Sequence, residues 1–264
     1  MPQERTPEAY AKGEEPALLR FSNALRSFVD IVGRSGSWLI IPLVLITMID
    51  VVGRKIVWRG DDGEVYGLQI WLMQTFGPTF ESTRLQELEW HFHTALFVLV
   101  LGYGYIYNAH VRVDLVRETL HFRKKAWLEL LGLVFFLLPF CSVVVYFAFI
   151  YAHDSYLVGE ISASTVGLSH RWIIKSILAF GLVMAALAGL AVLAQVIVVL
   201  WGDRNRRYPL MTLEWPEDAG ESIEGKARIS LDDVGDAVPP SLAKKVKEEA
   251  EAQAAAAVTE GQGS

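Results

Sequence analysis

The chain has 264 residues, 52% of them hydrophobic, with a positive mean hydropathy and a formal net charge of -6. A single soluble core would need amphipathic periodicity to hold so much apolar residue, and here the apolar residues come in blocks instead. The acidic balance gives no reason to expect nucleic acid as a partner, and the one cysteine, Cys141, excludes an intramolecular disulfide.

Residues 1–16 are polar, with Glu4, Arg5, Glu8, Lys12, Glu14 and Glu15, and they lack the apolar segment and cleavage site of a removable signal. In residues 17–36, Leu18, Phe21, Leu25, Phe28 and Val32 recur at steps of three and four, opposite Arg20, Asn23, Arg26, Ser27 and Asp30. That pattern predicts an amphipathic helix with basic residues on its polar face, suited to the membrane interface; a helix packed on a soluble partner would carry the same pattern.

Residues 37–202 form the expected membrane domain. Charge is almost absent from residues 38–49, 92–109, 130–152 and 176–201. A helix needs about 20 apolar residues to cross hydrocarbon, and the first block reaches that length by borrowing Ile31 to Ser37. The fold class is therefore an all-α integral membrane protein with four transmembrane helices behind an N-terminal interfacial helix. Residues 54–88 read as a polar outer loop, with Asp61 to Glu64 at its centre and a semi-apolar piece, Tyr66 to Phe76, too short to span. Thr83 and Gln86 have capping-box spacing for a helix that runs on into the second span. Pro139 predicts a kink in the third. Residues 203–264 begin with Arg204, Arg206 and Arg207, turn acidic and Ala-rich, and read as a cytoplasmic, mostly disordered tail with a weak helix near 241–257.

Lys and Arg near the helix ends set the orientation. With both termini cytoplasmic, the inner segments hold Arg20, Arg26 and Arg34, then Arg112, Arg117, Arg123, Lys124 and Lys125, then Arg204, Arg206 and Arg207. The outer loops hold Arg54, Lys55, Arg59, Arg84 and Arg171, with Lys175 just inside the fourth span. The bias predicts N-in, C-in.

Asp50 is the one acid expected inside a span, and an intramembrane carboxylate is a functional candidate because its charge is costly in lipid. Arg54, one turn on, offers a structural role instead, as an i, i+4 partner at the helix end. His91, His93, His153 and His170 all fall near the expected outer face on three different helices, where a haem, a metal or a quinol would be held by a cross-helix pair such as His93 with His153 or His170. His110 lies about 25 Å along the helix from His93 and cannot complete such a pair. Interfacial histidines beside Trp90 and Trp172 are the plainer reading. Gly181, Ala185 and Gly189, at four-residue steps in the fourth span, let another helix approach closely, in this chain or in a partner. No nucleotide-binding loop, nucleophile elbow or metalloprotease motif is present, so no catalytic, cofactor-binding or metal-binding residue is assigned. Two repeats with broken helices, which many secondary transporters use to build a midplane site, are also missing.

Three features over residues 20–202 carry a family resemblance: the amphipathic helix leading to a span that ends in Arg54; Gly102 through His110-Val-Arg112-Val-Asp114; and Gly167-Leu168 followed by Arg171-Trp172-Ile-Ile-Lys175. Together they resemble the small, four-helix membrane subunit of tripartite ATP-independent periplasmic (TRAP) transporters. The loop at 54–88 and the start of the fourth span are similar to a subgroup labelled for mannitol or chloroaromatic compounds and related to 2-oxo acid systems. The resemblance implies a bacterial inner-membrane complex with a large multi-span subunit that carries the sodium and substrate sites. It also implies a periplasmic substrate-binding protein that delivers a carboxylate-bearing solute. The small subunit would anchor and widen the static scaffold in the lipid. His110, Arg112 and Asp114 would then fix helix ends at the cytoplasmic exit of the second span, with Arg112 and Asp114 either paired or simply solvated. Glu160, Ser162, Ser164 and Thr165 are candidates for docking the soluble protein, in a loop that equally suits a plain connection. A haem- or quinone-binding anchor of a redox complex is the alternative.

Overall fold

The computed structural model describes residues 8–10, 14–60, 65–110, 117, 120–164, 166–203 and 206–215. Arg112, Asp114, Thr165 and the tail beyond residue 215, with its expected helix near 241–257, lie outside the described residues.

The described residues are mostly helical. In order they form α1 (Ala17–Ser37), α2 (Ile40–Lys55), α3 (Leu68–Phe76), α4 (Ser82–Ile106), α5 (Phe122–Gly132), α6 (Leu138–Leu157) and α7 (Trp172–Trp201). Short strands β1 (Glu8–Ala9) and β4 (Arg206–Arg207) pair in parallel, and β2 (Val57–Arg59) and β3 (Val65–Gly67) form an antiparallel hairpin. The connection read as a polar loop is thus a hairpin, a helix and a 3-10 turn at Pro78–Phe80.

Three stretches among the described residues are long and apolar enough to cross a membrane: Ala17–Lys55, Phe122–Leu157 and Trp172–Trp201. Helix α2 alone has 16 residues, about 24 Å at 1.5 Å per residue, and needs the apolar end of α1 to complete a crossing. The expected second span lies in α4, whose 25 residues are long enough. Its first half carries Arg84, Glu87, Glu89, His91 and His93, which dilute the apolar run that follows, and α4 is not among the three.

Local chemistry explains several boundaries. Pro139 sits in the first turn of α6, and the five residues before that helix, Leu133–Leu137, form a π turn. Proline has no N–H to donate and its ring crowds the carbonyl four residues back, so the wider turn absorbs the broken ladder. Helix α4 begins at Ser82 with Glu81 at the capping position and no side-chain cap, one residue ahead of the expected Thr83. It ends where Asn108 adopts φ 54°, a left-handed conformation that asparagine tolerates after a helix.

The chain divides into two compact units. The larger comprises Ala24–Tyr107 and Phe136–Leu190. Inside it, Gly33 and Gly36 of α1 sit against Tyr103 and Leu99 of α4, so close that an added Cβ at either would fall within 2.6 Å of the facing Cβ. Tyr107 donates its hydroxyl to Asp30 at 2.7 Å, and Arg34 bonds the same carboxylate at 3.1 Å, fastening the end of α4 to α1.

The smaller unit comprises Met1–Asn23, Asn108–Phe135 and Ala191–Ser264. Ser22, fully buried, donates to the Ala191 carbonyl at 2.7 Å. Beyond α7 the chain turns back on itself. Gln195 donates to the Pro209 carbonyl at 2.9 Å and accepts the Met211 N–H at 2.8 Å, while Arg117 donates to the Thr212 carbonyl at 2.7 Å. Met211, Thr212 and Leu213 are buried, and Trp215 packs on Phe122 and Tyr208. Arg123 donates to the Leu200 carbonyl, where a cation favours the negative end of α7. Packed structure therefore continues past α7 through the described residues 206–215. The Tyr208 phenol is pushed above its ordinary range, chiefly by burial.

Candidate functional site

Besides the Asp30, Arg34 and Tyr107 tie, three clusters of charged groups stand out among the described residues of the larger unit. At the end of α2, Asp50 is 1% exposed. Its carboxylate accepts from the Arg54 guanidinium, one turn on, and from Ser82 Oγ at 2.7 Å; Arg54 Nε also donates to the Asp50 carbonyl at 3.3 Å. Ser82 is the residue that starts α4, so one buried acid fastens the end of the first span to the start of the next long helix. The sequence pointed to Arg54 and not to Ser82, which lies 32 residues from Asp50.

The second place is Glu87, in the turns of α4 that precede its apolar run. One carboxylate oxygen accepts from Ser162 Oγ and the other accepts the Leu168 N–H at 2.6 Å. Arg84, one turn earlier, donates to the Val166 carbonyl at 2.7 Å. Burial works against the charged form of Glu87, but the hydrogen bonds from Ser162 and Leu168 outweigh it and hold the acid below the usual carboxylate range. Gly167 is required here, because a Cβ would fall 2.3 Å from Ser162 Oγ and 2.6 Å from Glu87 Oε1.

The third place is Glu160, which pairs with the Lys175 ammonium and lies 3.9 Å from Arg171. The Lys175 bond holds its pKa below the ordinary carboxylate value. Lys175 also stands over the Tyr151 ring, 3.6 Å from its centre. The Arg171 N–H donates to the Glu160 carbonyl at 3.2 Å, and Trp172 meets Tyr156 edge to face at 5.4 Å. Glu160 is consequently tied to the start of α7 through Arg171 and Lys175.

This geometry bears on the residues chosen from sequence. Glu160 and Ser162 are engaged within the chain. Ser164 accepts the Val166 N–H through Oγ and donates its own N–H to Ser162 Oγ, so its polar groups serve the same turn. His110 is exposed just beyond α4. Gly181 and Ala185 meet α4: a Cβ on Gly181 would lie 2.6 Å from Val98 Cβ, and one on Gly102 would lie 2.8 Å from the Met184 carbonyl oxygen and 3.2 Å from Ala185 N. Gly189 faces Leu137 and Leu138. Within this chain, then, Gly181 and Ala185 face α4 and Gly189 faces the residues that lead into α6. Glu87 was missed as a site residue; its only sequence signal was an acid at helical spacing from Arg84 and His91.

The histidines have local surroundings. His91 donates through Nδ1 to the Glu87 carbonyl of its own helix, His153 is exposed beside Asp154, and His170 shares a hydrogen bond with Ser169. Among the described residues no group of three or more His, Cys, Asp or Glu side chains comes together to hold a metal. The arrangement lends the haem or quinone reading no support.

Apolar helices long enough to span, with charged side chains drawn into ties between helix ends and loops, define a multi-pass helical membrane protein. The chain belongs to the family described as Tripartite ATP-independent periplasmic transporters, DctQ component, whose model matches residues 43–199. The match runs from α2 nearly to the end of α7 and covers more than half of the chain. It makes this protein the small membrane component of a transporter that works with a large membrane subunit and a substrate-binding protein. No curated protein and no solved structure matches the chain.

Proposed function

We propose that the chain is the scaffold subunit of a sodium-coupled, binding-protein-dependent importer of a carboxylate-bearing solute. It stands in a bacterial inner membrane with both termini cytoplasmic and α4 as the fourth crossing. It anchors and extends the fixed part of the large subunit, which carries the ion and substrate sites. The amphipathic first part of α1 lies along the membrane interface, and its apolar end enters the first crossing. The mannitol, chloroaromatic and 2-oxo acid labels of the subgroup leave the solute open.

The observation that carries this reading is where the acids are used. Asp50, Glu87 and Glu160 each bind side chains or amides of the same chain. A carboxylate held between an arginine and a serine is a fastening, whereas a transported ion needs acceptor oxygens left open to it. Large apolar side chains exposed on α2 and α6, among them Val44, Leu45, Phe140, Phe147 and Ile150, supply surface for lipid and for a membrane partner. The loop that holds the docking candidates Glu160, Ser162, Ser164 and Thr165 is proposed as the surface offered to the soluble protein.

Reconstituted vesicles test the proposal. Removing this chain while keeping the large subunit and the binding protein should abolish sodium-driven uptake; undiminished uptake would refute a scaffold role. Asp50→Asn should leave the number of sodium ions moved per solute unchanged, and a lower number would place an ion site here.

A further inference from the structure

The hairpin and α3 that follow the first span carry an aromatic surface that no helix among the described residues covers. Trp58 of β2 and Tyr66 of β3 stand opposite each other and stack at 6.3 Å with ring planes 17° apart. On α3, Trp71 meets Phe76 edge to face at 6.0 Å, and Phe76 meets Phe80 at 5.7 Å. Trp58, Tyr66, Ile70, Trp71, Met73 and Phe76 are all exposed, and α3 has no buried residue at all.

Two demands fix where such a surface can rest. Its aromatic faces call for an apolar medium. A two-stranded sheet without a third strand among the described residues has outer edges whose backbone groups need water or headgroups, so it cannot sink into hydrocarbon. Only the boundary between the two satisfies both, and tryptophan and tyrosine, apolar rings with a polar tip, are the residues that favour it.

Position agrees with composition. The apolar run of α2 reaches Val52 and β2 begins at Val57, about 7 Å further along a helical rise. The Leu68 N–H donates to the Ile56 carbonyl at 2.9 Å, and Gly53 of α2 lies close against Gln69 of α3, so the hairpin and helix are tied to the end of that span. Lys55 and Arg59 flank the aromatic surface and suit phosphate headgroups.

We propose that Val57–Arg59, Val65–Gly67 and Leu68–Phe76 form an aromatic foot that lies in the headgroup layer of the bilayer, with lipid as its partner. The foot sets the depth at which the first span ends and keeps the Asp50, Arg54 and Ser82 cluster at the membrane boundary. The inference rests on α2 being a span.

Spin labels test it in the full-length chain, with Cys141→Ala as background, in nanodiscs of phosphatidylethanolamine and phosphatidylglycerol. Labels at Trp58→Cys and Trp71→Cys should collide with oxygen several-fold more, relative to a water-soluble nickel chelate, than a label at exposed Glu214→Cys. A label at Leu45→Cys should report the deepest position. Nickel-dominated collisions at Trp58 and Trp71 with an oxygen-dominated Leu45 overturn the foot alone. A nickel-dominated Leu45 overturns the span and the foot with it. Occlusion of Trp58 and Trp71 from both reagents once the large subunit is present gives the surface to a protein partner and overturns lipid as the occupant.

Discussion

Replacing Gly102 by alanine isolates the seam between α4 and α7. The new Cβ would lie 2.8 Å from the Met184 carbonyl oxygen, 3.0 Å from its carbon and 3.2 Å from Ala185 N, all main-chain atoms of α7. A carbon beside a carbonyl oxygen needs about 3.3 to 3.6 Å, so the helices must separate by roughly 0.5 Å or more. Main chain cannot rotate out of the way as a leucine tip can, which places the cost in the upper part of the range of about 1–3 kcal/mol for overpacking. Alanine returns about 1 kcal/mol of helix propensity, leaving a net loss of about 1–2 kcal/mol. Gly132→Ala is the control, since nothing lies within 4 Å of its Cβ and only the propensity gain acts. Reversible unfolding of the purified chain in mixed micelles titrated with sodium dodecyl sulfate, followed by tryptophan fluorescence, reads both. Gly102→Ala should unfold earlier than the parent and Gly132→Ala no earlier. A Gly102→Ala protein as stable as the parent would refute the close seam.

The loop latch gives a mutational test and a pH test. Glu87→Gln exchanges two charge-assisted bonds for weaker ones and should cost about 1–2 kcal/mol of local stability, seen as faster hydrogen exchange at the Leu168 amide. Because the folded pKa of Glu87 is depressed, the latch is complete above the ordinary carboxylate value of about 4.3 and is lost as pH falls through the lower folded value. Leu168 protection should therefore fall on acidification in the parent and stay level in Glu87→Gln; a parent without that fall would disprove the latch. Arg54→Ala leaves the buried Asp50 carboxylate without its cation and should cost about 1–3 kcal/mol, the lower part because the Arg54 head is half exposed. Adding Asp50→Asn should recover part of that loss, and a double variant no better than the single would count against the pair. Gln195→Leu removes the acceptor of the Met211 N–H and the donor to the Pro209 carbonyl, for about 2–3 kcal/mol, and limited proteolysis should cut residues 206–215 sooner.

Local sequence carried the helices well, because an apolar block and its charged ends are properties of neighbouring residues. Asp50 and Arg54, four residues apart on one helix, were a visible pair for the same reason. What escaped depends on distant partners. Ser82 reaches Asp50 across 32 residues, and Ser162 reaches Glu87 across 75, so neither hydroxyl carries a signal of its own. The pairing of Val57–Arg59 with Val65–Gly67 was hidden by length: three residues per strand give too little alternation to register. The apolar run expected as the second span and the polar residues ahead of it proved to be one continuous helix, α4, because the charges of its first half fall within the same helical stretch.

The histidine and acid-rich half of α4 and the small-residue seam of its other half are two parts of one design. Glycine at 102 and 181 brings the main chain of each helix against the other, at Gly102 main chain to main chain, and a helix pair so close leaves little room for error in register. Register is then held where the helices emerge: Glu87 latches the loop that leads into α7, and Asp50 ties the start of α4 to the end of α2. Asp50, Glu87 and Glu160, whose charges would be costly within the spans, sit at helix ends or in loops with partners of their own, and these ties help apolar helices keep a fixed alignment. Alignment fixed by end-ties and a close seam is the property that the proposed scaffold role would require of this sequence.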